Sequence, residues 1–222
     1  GVLVFDDPPH ISGNGNIQIQ SLDWPSIKNS FREPITGRFS RSVAYFSFAL
    51  NYYFGGLNLF GYHMINLLIH YMAAIFLFLL IFNTLQLPIL RERYGRSAYP
   101  ISLLAAVLWC TSPLQVTAVT YLVQRMACLA GLFYIASMYF YLKGRIAENS
   151  KNRLIFWGLS LLSALLAVGS KENAVLLPFS IWLFDLLFIQ GATRRNIIRN
   201  LKIFTPLSFL CLLAGLYYVD IG

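Results

Sequence analysis

Apolar positions in this chain come in long unbroken runs, not in the alternating or one-faced patterns of a water-soluble core. A helix rising 1.5 Å per residue crosses a hydrocarbon layer of ~30 Å in about 20 residues. Runs of that order lie at 61–82, 154–170, 174–190 and 203–219, and 98–142 stays apolar long enough for two. Pro113 has no backbone donor, so the divide in the long run is expected at Thr111-Ser112-Pro113. Residues 1–41 are polar and turn-rich, with Pro8-Pro9, Asn14-Gly15-Asn16 and Trp24-Pro25, and predict a loop domain. Residues 42–58 are aromatic and semi-polar. They predict an interfacial helix whose Tyr45, Phe46, Phe48, Tyr52, Tyr53 and Phe54 form a belt at the membrane surface. The expected fold class is all-α: a polytopic membrane helix bundle over 59–222, with about six spans, preceded by a loop that carries an acidic motif.

Composition agrees. Of 222 residues only 12% are charged and 57% are hydrophobic, with mean hydropathy +0.61. A soluble domain carries about 25% charged residues, so a water-soluble globule is excluded, and disorder fails because apolar residues dominate. Cys110, Cys128 and Cys211 lie inside apolar runs with no CxxC pair, which argues against a disulfide framework or a thiolate zinc site. The chain opens at Gly1 on the strand-like run Val2-Leu3-Val4-Phe5, without a charged leader or cleavage signal. This reads as a fragment or processed chain whose preceding segment, a span, is missing.

The formal charge of +8 matters mainly by where it sits. Eleven of the 17 Lys and Arg residues fall in three short loops, 83–97, 143–153 and 191–202. Basic loops stay cytoplasmic. The N-terminal loop, the Pro113 turn and the hinge at 170–173 then share the outer face, and no nucleic-acid partner is expected.

That outer face gathers ionisable groups, which cost several kcal/mol at membrane depth unless they pair or line a wet cavity. Asp6-Asp7 reads as a general base, a cation-binding pair or an exposed acidic turn. His10 is a weaker addition. Arg125, in Val123-Gln124-Arg125-Met126, reads as an anion anchor or as a cation reaching back to the interface. Lys171-Glu172 taken alone is a self-paired hinge. His63, Asn66 and His70 share a helix face, with helix–helix hydrogen bonding expected for the deeper His70. Asp185 is placed to pair with a cytoplasmic-side Arg. No Walker loop, GxGxxG, HExxH or GxSxG is present, so nucleotide-driven transport, dinucleotide chemistry, zinc proteolysis and serine hydrolysis gain no support.

Several stretches together carry a resemblance. They are Val4-Phe5-Asp6-Asp7, Asn16, Arg41, Phe48-Ala49-Leu50-Asn51-Tyr52, the run from Gly55 to His70, the run from Ser112-Pro113 to Gln124-Arg125, and Gly169-Ser170-Lys171-Glu172-Asn173-Ala174. In this order they resemble the N-terminal membrane region of the transmembrane and tetratricopeptide-repeat glycosyltransferases. Ser112 stands where that family usually has His, Thr117 where it often has Glu, and Ser42 where it often has Pro. Asp6-Asp7-Pro8-Pro9-His10 is one residue longer than the similar acidic pattern of protein O-mannosyltransferases.

The resemblance implies a superfamily C enzyme that moves a sugar from a polyprenyl-phosphate-linked donor to a hydroxyl acceptor, a protein Ser or Thr among the options, with inversion. Asp6 and Asp7 would be catalytic. Arg41, His63, Gln124, Arg125, Lys171 and Glu172 would hold the donor phosphate or substrate, with His10 an accessory. No metal ligand set is assigned; a divalent cation stays open as cofactor. Residues 45–54 would hold the isoprenoid chain. The setting would be a multi-pass protein of a bacterial inner membrane, with its active face extracytoplasmic and a repeat domain after the last span. Two other classes stay open: a lipid or ion transporter using the acidic pair for coupling, and a non-catalytic scaffold.

Overall fold

The computed structural model describes residues 6–34 and 39–202. The run Val2–Phe5, Arg38 and the last expected span at 203–219 lie outside them. The described residues are mainly helical, with no strand among them: α1 (Trp24–Ser30), α2 (Ser42–Gly55), α3 (Leu59–Leu85), α4 (Pro88–Tyr94), α5 (Ala98–Cys110), α6 (Val116–Thr120), α7 (Arg125–Ile146), α8 (Ser150–Val168) and α9 (Leu177–Phe184). Caps set several starts. Asp23 accepts from the Ser26 N–H to begin α1, Asn58 from Phe60 to begin α3, and Asn149 from Lys151 to begin α8.

The chain is a polytopic membrane helix bundle. Among the described residues four helices are long and apolar enough to cross a membrane: Leu59–Leu85, Leu122–Ile146, Ser150–Val168 and Glu172–Gln190. Pro88–Cys110 with Pro113–Thr120 makes a fifth candidate, bent by 52°. The break before Pro113 falls where the sequence predicts it. The next limb breaks again at Tyr121, whose backbone is extended (φ −96°, ψ 111°), so the following span starts at Leu122. The physical reason is the β-branched run Val116, Thr117, Val119 and Thr120, which gives a weak helix.

Two expectations need correction. The loop domain is partly helical, with a π-helical turn at Pro8–Ser12 as well as α1. The aromatics of α2 do not form one belt. Tyr45 and Phe48 are fully buried, while Tyr53 and Phe54 are exposed. Burial of Tyr45 and Phe48 follows from the loop, because Ile11, Ile17 and Ile19 pack with them and with Tyr62, Leu122 and Met126 in one core.

Helix α7 is the centre, packed on α3 and α8, with α5 behind α3. The α7–α8 seam is tight. Ser137 Oγ donates to the Ser160 carbonyl and Ser160 Oγ to the Ser137 carbonyl, each at 2.9 Å. A methyl placed on Gly144 would overlap the Trp157 indole. Small residues at such seams let helix backbones approach. Gly144→Val is expected to destabilise the bundle by about 1–3 kcal/mol, read as a lower thermal midpoint in detergent. An unchanged midpoint would mean the seam has slack.

At the far end of α7, Arg145 Nε donates to Asp185 Oδ1 at 2.7 Å and Tyr141 donates to the same oxygen at 2.9 Å. Asp185 thus takes the Arg partner that its position predicts.

Candidate functional site

The opposite end of α7 collects the polar residues that the sequence singles out. Pro8 fits the first position of a helical turn, where a missing N–H costs nothing. The turn Pro8–Ser12, closed by Gly13 N–H donating to the Pro8 carbonyl at 2.7 Å, sends the two carboxylates different ways. Asp6 is exposed and Asp7 is fully buried. Tyr121 Oη donates to Asp6 Oδ2 at 3.2 Å and lies 3.1 Å from the Asp6 N–H. Asp7 Oδ1 accepts from the Val123 N–H at 2.9 Å. The extended break between α6 and α7 is what leaves these groups free of helix bonds. Desolvation is the main cause that raises the Tyr121 phenol above its ordinary value, with the Asp6 N–H pulling it down and the Asp6 carboxylate pushing it up, so it keeps its proton and donates.

Beside them Arg41 opens α2 in the left-handed region (φ 54°). Its Nε donates to Glu172 Oε1 at 2.7 Å, and this bond is the main reason the guanidinium is held above its ordinary range. The Val43 N–H donates to the Gly169 carbonyl at 2.9 Å, closing the same seam. The expected self-pairing of Lys171 with Glu172 is therefore not found. Arg41 takes the carboxylate, reaching it from a separate element through Nε. Among the described residues the Lys171 ammonium makes no hydrogen bond or ion pair. Arg41 Nη1 also lies 3.8 Å from the Met126 sulfur, so the short stretch 121–126 touches both the acidic and the basic groups.

Arg125 is fully buried, and neither reading of it from sequence describes its position. Nε donates to Asn66 Oδ1 at 2.6 Å, Nη2 to Asn51 Oδ1 at 2.9 Å and to the Tyr62 carbonyl at 2.9 Å, and Nη1 to the Ser47 carbonyl at 3.3 Å. Phe48 and Tyr62 present ring faces at 4.5 and 5.3 Å. One guanidinium thus joins α2, α3 and α7. No carboxylate pairs with it among the described residues. Its charge is spread over neutral oxygens and two π faces.

The remaining expected residues are near but differently employed. Tyr45 Oη and His10 Nδ1 share a hydrogen bond of 2.8 Å, and burial pushes the Tyr45 phenol well up, so it stays neutral. His63 Nδ1 donates to the Val119 carbonyl at 3.3 Å. Gln124 makes no side-chain hydrogen bond among the described residues. His70, deeper on α3, donates from Nε2 to the Cys110 carbonyl at 2.9 Å and stacks on Trp109, an interhelical role as its depth predicts. Among the described residues no group of three His, Cys, Asp or Glu is placed to hold a metal ion.

Sequence reasoning missed Tyr121, Asn51 and the role of Asn66. Their signal was available: Tyr121 precedes the Gln124-Arg125 pair by one turn, and Asn51 and Asn66 are amides inside apolar segments. A cavity of about 480 Å³ lies instead toward the Asp185 end, lined by Tyr141, Trp157, Ile181 and Trp182, away from the acidic pair.

The site can present one exposed carboxylate, oriented by a phenol, and an ammonium, that of Lys171, which makes no hydrogen bond or ion pair among the described residues. Known proteins give this arrangement a context. Protein O-mannosyl-transferase TMTC4 of Homo sapiens is 28% identical over 204 residues, which is 85% of this chain and 27% of that protein. TMTC3 of Mus musculus is 24% identical over 220 residues, 96% of this chain and 21% of that protein. Tmtc1 of Drosophila melanogaster is 27% identical over 237 residues, 97% of this chain and 25% of that protein. The chain spans about a quarter of the length of these relatives. No protein-family model and no solved structure matches it. The curated relatives of the chain are the transmembrane and tetratricopeptide-repeat protein O-mannosyl-transferases, the family that its motifs resemble.

Proposed function

We propose, from this kinship with protein O-mannosyl-transferases, that the chain forms the membrane part of a glycosyltransferase. It moves a mannosyl-type sugar from a polyprenyl-phosphate donor to a Ser or Thr hydroxyl of a protein, on the extracytoplasmic face. The observation that carries the reading is the division of labour in the acidic pair. Asp6 is exposed with Tyr121 on its carboxylate, while Asp7 is buried against the Val123 N–H.

In a single displacement the acceptor oxygen forms a bond to the anomeric carbon as the carbon–oxygen bond to phosphate breaks. Asp6 receives the acceptor proton, and the lipid phosphate leaves with the bonding electrons. The configuration inverts. Negative charge at Asp6 also favours the oxocarbenium character of the transition state. Lys171, whose ammonium makes no hydrogen bond or ion pair among the described residues, and Arg41, in exchange for Glu172, supply cations to the departing phosphate. Arg125 acts through the scaffold: with its donors engaged by Asn66, Asn51, Ser47 and Tyr62, it positions the 121–124 strap and does not touch phosphate. A divalent cation, if used, would be held by Asp6 and would supply positive charge to the departing phosphate. The lipid chain lies along the exposed apolar sides of α2 and α3. The bacterial inner membrane remains the proposed setting; the relatives reported above are animal proteins.

The direct test is transfer by purified full-length protein from a polyprenyl-phosphate sugar to a Ser/Thr peptide. No transfer with any such donor would overturn the reading. Tyr121→Phe keeps the ring and removes the hydroxyl. Turnover is expected to fall about tenfold, because a hydrogen bond to a charged group is lost, with KM for the donor unchanged. A change in KM alone would assign Tyr121 to binding instead. Sidedness is checked separately: with native cysteines replaced, Lys28→Cys should react with an impermeant thiol reagent in intact cells and Lys151→Cys should not. The reverse pattern would place the acidic loop in the cytoplasm.

A further inference from the structure

A second concavity lies one turn along the chain from the acidic pair. It has a volume of about 270 Å³ and is lined by Asn16, Gln18, Gln20, Ser21, Ser26 and Asn29. Its walls are fixed from inside. Asn14, buried, donates from Nδ2 to the His10 carbonyl at 3.2 Å and accepts from the Asn16 N–H at 3.0 Å. Gln18 Nε2 donates to the Ser12 carbonyl at 2.7 Å. Ile17 and Ile19 are buried in the core, and the residues that alternate with them, Asn16, Gln18 and Gln20, line the concavity.

What faces outward is hydrogen-bonding capacity without charge. The side-chain amides of Asn16, Gln20 and Asn29 make no hydrogen bond among the described residues. The main-chain N–H and C=O groups of Ile19 and Gln20 make none either. Each amide offers two donors and an acceptor. Ile17 and Gln18 spend their N–H groups in turns, on the carbonyls of Asn14 and Gly15 at 3.3 Å each, so the main-chain groups open to a partner are those of Ile19 and Gln20, where an extended chain can pair as in recognition by strand addition. Among the described residues no aromatic ring lines the concavity, so they offer no stacking face for a sugar ring, and no charged side chain lines it, so they do not select an ionic partner.

We infer that this concavity holds the acceptor polypeptide in an extended conformation through its main chain. This rests on the glycosyltransferase reading and names the substrate contact that goes with it. The turn Pro8–Ser12, followed by Gly13 and Asn14, joins the acidic pair to the concavity within one loop, and in this proposal the chain held at Ile19 and Gln20 offers its hydroxyl side chain to Asp6. Main-chain recognition makes the site tolerant of acceptor sequence.

The test uses full-length protein in lipid nanodiscs and a fluorescein-labelled, acetylated peptide of repeating Ala-Thr. Binding is read by anisotropy and transfer by turnover. The triple variant Asn16→Ala, Gln20→Ala, Asn29→Ala removes three neutral partners, and the dissociation constant and the acceptor KM are expected to rise about thirtyfold. Donor KM and kcat should stay at wild-type values. Equal peptide affinity in wild type and variant overturns the inference, as does displacement of the peptide by excess methyl mannoside, which would make this a sugar site. Transfer with an unchanged acceptor KM in the variant rejects the concavity and leaves the enzyme reading standing. Wild-type peptide binding that the variant loses, without any transfer, rejects the enzyme reading and keeps the concavity. Neither binding nor transfer in wild type rejects both.

Discussion

Asp6→Asn should reduce sugar transfer by about 10²- to 10⁴-fold, the usual loss when a general base is removed. Asparagine keeps the shape and can still meet Tyr121 Oη, so donor affinity should hold and the loss should fall on kcat. Asp7→Asn should behave differently. Its remaining carbonyl oxygen can still accept from the Val123 N–H, the contact that Asp7 makes at 2.9 Å. Turnover should drop only a few-fold, with looser docking of the Pro8–Ser12 turn. Assaying both variants at saturating donor and acceptor separates the roles. If Asp6→Asn stays within a few-fold of wild type, this loop does not supply the base.

Arg125→Ala should cost the bundle about 3–5 kcal/mol, because truncating one member of a buried polar network strands the others. Asn66, Asn51 and the carbonyls of Tyr62 and Ser47 would all lose their donor at once. Arg125→Met, which restores volume without donors, should be nearly as damaging. Arg125→Lys should be intermediate, since an ammonium has three donors and no planar fork. The measurement is the thermal midpoint in detergent, followed before any activity assay. A wild-type midpoint for Arg125→Ala together with lost donor affinity would return Arg125 to direct phosphate binding.

Hydropathy alone located α3, α8 and the Glu172–Gln190 span, because lipid solvation needs a contiguous apolar length and little else. The Pro113 break was equally readable, since proline acts on its own backbone. The break at Tyr121 was not: a β-branched run weakens a helix without ending it, and here the loop carboxylates capture the freed groups at 121 and 123. Charge led to Arg125 and Glu172 but misjudged their partners. Arg125 binds neutral oxygens 59 to 78 residues away, which no charge pattern marks. Glu172 pairs with Arg41, 131 residues away, over the lysine next to it, because adjacent side chains in an extended stretch point apart. The unequal acidic pair was foreseeable in kind, as neighbours cannot share a proton equally. Which one is buried depends on the turn that Pro8 starts.

The receiving groups for Arg125 are all made before it. Ser47, Asn51, Tyr62 and Asn66 leave the ribosome ahead of α7, the nearest by 59 residues. At about 5–20 residues per second that is a lead of some seconds. A lone arginine entering lipid is opposed by several kcal/mol, but this one meets a finished cradle on α2 and α3. Vectorial synthesis therefore imposes an assembly order, in which α2 and α3 act as an internal chaperone for α7, made after them. Circular permutation that places α7 ahead of α3 would keep every contact of the final bundle and remove that order, leaving an orphan cation for the insertion machinery to reject.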